Sequence, residues 1–189
     1  MTEATRALVL GLIAVAAANA AMGGYLVAYE PETALNLWTV YSARLSFILF
    51  LVSYGIGDLH RILATNFTAV LRRRRRQIGL SFAAAHTVHL AVLVAHLLDE
   101  QFWPGWPLIV FGGFGYLLMW AMAATSNDAA VARLGRRWKV LHLAGAGTLA
   151  AIFFYIYALR LVLGEYLLFS VPAVVALLAV IALRFTRKA

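Results

Sequence analysis

The sequence predicts an all-α integral membrane protein, a six-transmembrane-helix bundle with both termini cytoplasmic. Three observations lead there. First, 63% of the 189 residues are apolar and only 13% charged, against about half and about a quarter in an ordinary soluble domain; the mean hydropathy is +0.84. Second, six apolar stretches each approach the roughly 20 residues that a helix rising about 1.5 Å per residue needs to cross a bilayer. Third, the charges segregate. Of the 16 basic residues, 14 fall in alternate connections or at the termini, whereas Glu30, Glu32, Asp99, Glu100 and Glu165 fall in the other connections. That is the positive-inside pattern, and it makes the basic face cytoplasmic.

The first span covers residues 7–29, between Arg6 and the acidic turn EPET. It is long and lacks a strongly basic leader, so it reads as a retained helix rather than a signal peptide. The second span, 37–59, ends in a basic stretch running from Arg61 to Arg76. The third, 78–98, follows five consecutive arginines, Arg72 to Arg76, and is closed by Asp99 and Glu100. QFWPGWP then supplies tryptophans and prolines suited to an interfacial turn. The fourth span, 108–124, carries Gly112, Gly113 and Gly115, which favour close helix approach. The segment SNDAAVARLGRRWK reads as a basic inner loop. The fifth and sixth spans, 140–159 and 166–183, precede the basic tail RFTRKA.

Charge placement turns the net +8 away from nucleic acid and toward anionic lipid headgroups. The absence of cysteine excludes disulfides, thiolate metal sites, iron–sulfur clusters and covalently attached heme. No connection is long enough for a catalytic domain, so any chemistry belongs to the helices.

Imidazole is costly in hydrocarbon, and ionisable residues inside a span are functional candidates. His86, His89 and His96 lie in the third span, three and then seven residues apart, on one side of the helix. His142 stands about one turn into the fifth. Neutral imidazoles from facing helices can hold a b-type heme, although a membrane histidine also serves as an interhelical hydrogen-bond donor. His60, beside Asp58 at the inner end of the second span, reads as structural. Arg44 lies inside the second span, where a guanidinium calls for an anion such as a heme propionate or a quinone-site partner, or else snorkels to the outer interface. Trp103, Trp106, Tyr155, Tyr157 and Tyr166 read mostly as an interfacial aromatic belt.

At these residues the chain resembles the ferric-reductase-like transmembrane superfamily, especially its MsrQ/YedZ heme-binding membrane subunits. RRQIGLSFAAAHTVH is similar to that family's basic, Leu-Gly-Leu, histidine pattern, and the histidine ten residues after the glycine is His89. TSNDAAVARLGRRWKVLH is similar to the Thr-Ser, Leu-Gly, Arg-Trp, Leu-His run that ends at His142. The resemblance implies one ferric-reductase-like transmembrane domain over residues 1–189. It also implies heme b, one or two, with His89 and His142 as iron ligands and His86, His96 and Arg44 as further cofactor-binding candidates. It further implies a bacterial inner-membrane subunit carrying electrons from a cytoplasmic or quinol donor to a periplasmic redox partner, with quinone or flavin supplied through a partner. The family's second histidine, 13 residues after the position of His142, is replaced here by Tyr155. At about 1.5 Å per residue from the basic edge, His89 lies about 20 Å deep and His142 about 6 Å, which disfavours one shared iron. The alternative is a heme-free structural or anchoring subunit of a larger membrane complex that keeps the fold.

Overall fold

The structure, a computed structural model, describes residues 3–185. The end of the basic tail, residues 186–189, lies outside the described residues. Among the described residues the secondary structure is wholly helical. Six helices are long and apolar enough to cross a membrane: α1 (Glu3–Tyr29), α2 (Ala34–Leu63), α4 (Arg75–Asp99), α5 (Trp106–Ala124), α7 (Arg136–Val162) and α8 (Leu167–Phe185). They correspond one for one with the six predicted spans. Two short helices, α3 (Asn66–Arg73) and α6 (Asp128–Leu134), occupy the basic stretch after the second span and the basic inner loop after the fourth. Neither has the apolar run that marks a span. The Asn127 side chain accepts from the Ala130 amide at 2.8 Å and starts α6, and Gly135, at φ +50°, turns the chain into α7.

The chain divides into two compact units. The first holds α1, α2 up to Ser53, and α4. Its buried residues include Val15, Leu26, Phe47, Phe50, Phe82, Ala85 and Val92. Small residues set its close approaches. A Cβ on Gly11 would lie 2.6 Å from the Ser81 hydroxyl of α4, and one on Gly23 would lie 2.6 Å from two ring carbons of Trp38 on α2. Pairing between α2 and α4 steps in opposite directions along the two helices: Ser42 meets His89, Ser46 meets His86 and Phe50 meets Phe82. At the inner end, Arg75 Nε donates to the Ser53 carbonyl at 2.7 Å, which ties Arg75 to α2.

The second unit holds the last turns of α2, then α3, α5, α6, α7 and α8. Of the three glycines expected to admit a neighbour, Gly115 does so: a Cβ there would lie 2.8 Å from Ile152 of α7. Gly112 and Gly113 face open space, because only one side of α5 meets α7. Tyr157, expected in the aromatic belt, is instead 5% exposed, stacked with Phe153 and tilted against Phe169. Its near neighbour Tyr155, two residues and about 200° around the helix, is 63% exposed. Trp103, Trp106 and Tyr166 are exposed, as a belt requires. Arg184 closes this unit. Its Nε lies 3.3 Å from Asp58 Oδ2, its Nη2 donates to the Tyr54 carbonyl at 2.8 Å, and its guanidinium sits 3.6 Å over the Tyr54 ring.

Candidate functional site

Helix α4 is apolar on nearly every side, yet it carries a column of rings along one of them. Phe82 stacks on His86 at 5.4 Å between centroids, and His86 on His89 at 5.2 Å with 24° between planes. The three- and four-residue spacings place these side chains one above another. His89 is 9% exposed and His86 half-buried.

Each imidazole meets a serine of α2. Ser42 Oγ lies 3.0 Å from His89 Nδ1, and Ser46 Oγ lies 2.9 Å from His86 Nδ1. The direction of these bonds follows from proton counting. A hydroxyl has one proton, and both serines spend theirs on their own helix: Ser42 donates to the Thr39 carbonyl at 3.1 Å and Ser46 to the Ala43 carbonyl at 2.9 Å. With the hydroxyl proton on that carbonyl, each imidazole donates from Nδ1–H and its lone pair resides on Nε2. The two serines are fully buried. They went unnoticed in the sequence because a serine inside an apolar run carries no signal alone. The available signal was a pair of serines four apart opposite a pair of histidines three apart.

His96 lies seven residues beyond His89, on the same side of α4 and half-buried. Arg44 is two residues from Ser42 and so about 200° around α2 from the serine stripe; its guanidinium stacks 5.1 Å over Tyr41. His86, His89 and the serines are thus brought together, and Arg44 lies on another side of its helix.

His142 belongs to the second unit and has a different environment. It stacks on Trp138, one turn earlier, at 4.1 Å. Its Nε2 lies 3.3 Å from Thr125 Oγ at the end of α5. Thr125 donates its own proton to the Ala121 carbonyl at 2.7 Å, so His142 donates from Nε2–H and keeps its lone pair on Nδ1. Trp138 Nε1 donates to the Thr125 carbonyl at 2.9 Å. Together the two rings secure the C-terminus of α5. His60 donates from Nδ1 to Thr68 Oγ1 at 2.8 Å, since Thr68 donates to the Thr65 carbonyl; this is the structural role expected for it. No cluster of three or more His, Cys, Asp or Glu side chains suited to a metal ion occurs among the described residues.

Six candidate spans that carry imidazoles hydrogen-bonded between helices define a multi-pass membrane protein with nitrogen donors within its spans. Comparison with known proteins narrows the class. The chain is 28% identical over 152 residues to the protein-methionine-sulfoxide reductase heme-binding subunit MsrQ of Cronobacter sakazakii, covering 72% of this chain and 71% of that protein. It is 38% identical over 84 residues to the MsrQ of Azospira oryzae, covering 39% of this chain and 35% of the relative. With the Klebsiella pneumoniae MsrQ it shares 28% identity over 122 residues, covering 57% and 58%. Against the last two the match spans less than two thirds of the relative. No family model matches the chain, and no solved structure does. These relatives bear out the resemblance drawn from the sequence: the chain is similar to MsrQ heme-binding subunits at modest identity.

A b-type heme asks for a neutral imidazole whose bare nitrogen reaches the iron while the other nitrogen is anchored. His89 meets that demand through Nε2, with Nδ1–H held by a buried serine. His142 has its Nε2 3.3 Å from Thr125 Oγ, a longer contact than the one behind His89.

Proposed function

We propose that the protein is a membrane b-type cytochrome subunit that carries electrons across the bacterial inner membrane, from a cytoplasmic or quinol donor to a periplasmic acceptor. Both termini lie on the cytoplasmic side, and residues 1–189 form one ferric-reductase-like domain. The observation that carries the reading is His89, a buried histidine in the family-like motif whose Nδ1 is anchored by Ser42. His89 is the iron ligand of the α4 site and His142 that of the second motif. The bound heme supplies a ferric/ferrous couple that accepts and releases one electron. The chain's own part is to bind it without covalent attachment, fix the ligand rings, and keep water away through Phe50, Phe82 and Val92.

The test is a reduced-minus-oxidised spectrum of the purified protein with pyridine-hemochrome quantification. One or two hemes per chain are expected. His89→Asn places an amide N–H close to the Nδ1 position, so it can keep the Ser42 bond while removing Nε2. It is expected to lose heme and retain the fold. A flat spectrum after heme supplementation would refute the cytochrome reading.

A second reading has a specific observation in its favour. Tyr155 stands where the family has a histidine and is 63% exposed, and His142 Nε2 is engaged by Thr125. A heme-free anchoring subunit of a larger membrane complex would show both features. It predicts stable co-purification with other chains and no effect of His89→Asn on that assembly.

A further inference from the structure

The two serine–histidine pairs repeat one construction. On α2, Ser42 and Ser46 are separated by four residues; on α4, His89 and His86 are separated by three, in the opposite chain direction. Each serine is closed on its own helix by a bond to a carbonyl three residues back. That bond removes the hydroxyl proton from competition and leaves the oxygen as an acceptor aimed at Nδ1. The same outcome at both rungs gives two parallel rings with the lone pair on Nε2. The carbonyl three residues back is within reach of a helical serine with no bound group present.

We propose that Ser42 and Ser46 are positioning residues that select the Nδ1–H tautomer and ring angle of His89 and His86, respectively. This presents both Nε2 atoms as the donor atoms of α4. A second consequence concerns His86. It rises from the same helix as His89, one turn away, with its ring stacked in parallel. The two imidazoles therefore approach from one side and cannot be opposite axial ligands of one iron. His86 is the neighbour of the His89 ligand, not its partner across the heme. The heme half of this inference rests on the cytochrome reading; the tautomer half concerns the polypeptide alone.

The experiment uses the full-length protein in detergent, with nitrogen-15 in histidine, first in its heme-free form. Nδ1–H and Nε2–H tautomers give distinct nitrogen resonances. The wild type is expected to show His86 and His89 as Nδ1–H. Ser42→Ala is expected to shift His89 alone toward a mixture of tautomers, and Ser46→Ala to shift His86 alone. Ser42→Thr, which keeps the hydroxyl, restores the wild-type signal. Where Ser42→Ala fails to fold, Ser42→Cys, with a weaker acceptor of similar size, gives the same displacement in smaller measure. On loading with heme, Ser42→Ala is expected to weaken binding by roughly 10- to 100-fold, the usual effect of losing the group behind a ligand histidine. It is also expected to raise the ferrous fraction at a fixed ambient potential, since the ligand becomes less basic. Ser46→Ala is expected to leave affinity within about threefold, inside the usual scatter of such measurements. Nε2–H tautomers in the wild type, or tautomers indifferent to both alanine variants, overturn the proposal. A protein that passes the nitrogen test but never takes up heme overturns the cytochrome reading and leaves the serine assignment standing.

Discussion

Gly23 and Gly24 are adjacent in α1 and differ in what lies above them. A Cβ on Gly23 would stand 2.6 Å from two Trp38 ring carbons and 2.8 Å from a third, whereas one on Gly24 would meet nothing within 4 Å. Carbon–carbon contacts settle at about 3.5–4.0 Å, so Gly23→Ala demands a displacement of about 1 Å from a rigid indole. Overpacking of that kind costs about 1–3 kcal/mol. Replacing glycine by alanine in a helix also returns about 1 kcal/mol, and this gain is common to both positions. The difference between Gly23→Ala and Gly24→Ala therefore isolates the clash at about 1–3 kcal/mol. For a chain of this size that corresponds to about 2–12 °C between their unfolding midpoints. The assay is thermal unfolding in detergent, followed by helical circular dichroism. Gly23→Ala melting at or above Gly24→Ala would refute the reasoning and with it the α1–α2 approach at Trp38.

Two further outcomes follow from the second unit. Asp58→Asn should cost about 1–3 kcal/mol, below the roughly 3–5 kcal/mol of a fully buried pair because a quarter of the Arg184 side chain remains exposed. A double-mutant cycle with Arg184→Gln should return a coupling of about 1 kcal/mol, and no coupling would rule out the ion pair as a contributor. Tyr157→Ala should destabilise by about 3–5 kcal/mol as its ring leaves a cavity between Phe153 and Phe169, while Tyr155→Ala should stay within about 0.5 kcal/mol. Equal effects of the two substitutions in urea unfolding would contradict the burial difference.

The spans were legible because hydrophobic length is a coarse property that packing does not alter. Their ends were less so. The fifth apolar run begins at residue 140, but α7 begins at Arg136, since arginine, tryptophan and lysine are adequate helix formers and can end at headgroup level. Helices α3 and α6 escaped because short amphipathic helices have no long apolar run to find. The histidines were visible by chemistry, their serine partners only by pairing two helices. Which tyrosine faces the core depended on a 200° rotation between positions 155 and 157, which neither residue type reveals.

His142 offers the sharpest separation of structure from chemistry. In the second unit its Nε2–H holds Thr125, and its ring covers Trp138, which itself bonds the Thr125 carbonyl. A loss of heme on replacing His142 by alanine would therefore be ambiguous, because the end of α5 would loosen as well. Glutamine resolves this. Its side-chain amide reaches about as far as Nε2 and can donate to Thr125 Oγ, but it is no axial ligand. If His142 ligates iron, His142→Gln keeps the unfolding midpoint near wild type while losing one heme per chain, and His142→Ala loses both. If His142 only clamps α5, His142→Gln matches wild type in heme content as well, and only His142→Ala falls, by about 1–2 kcal/mol for the lost hydrogen bond and ring contact. Heme content and unfolding midpoint measured on the same preparations separate the two. Retention of heme in His142→Gln would remove His142 from the iron and leave His89 as the histidine ligand carried by the two motifs.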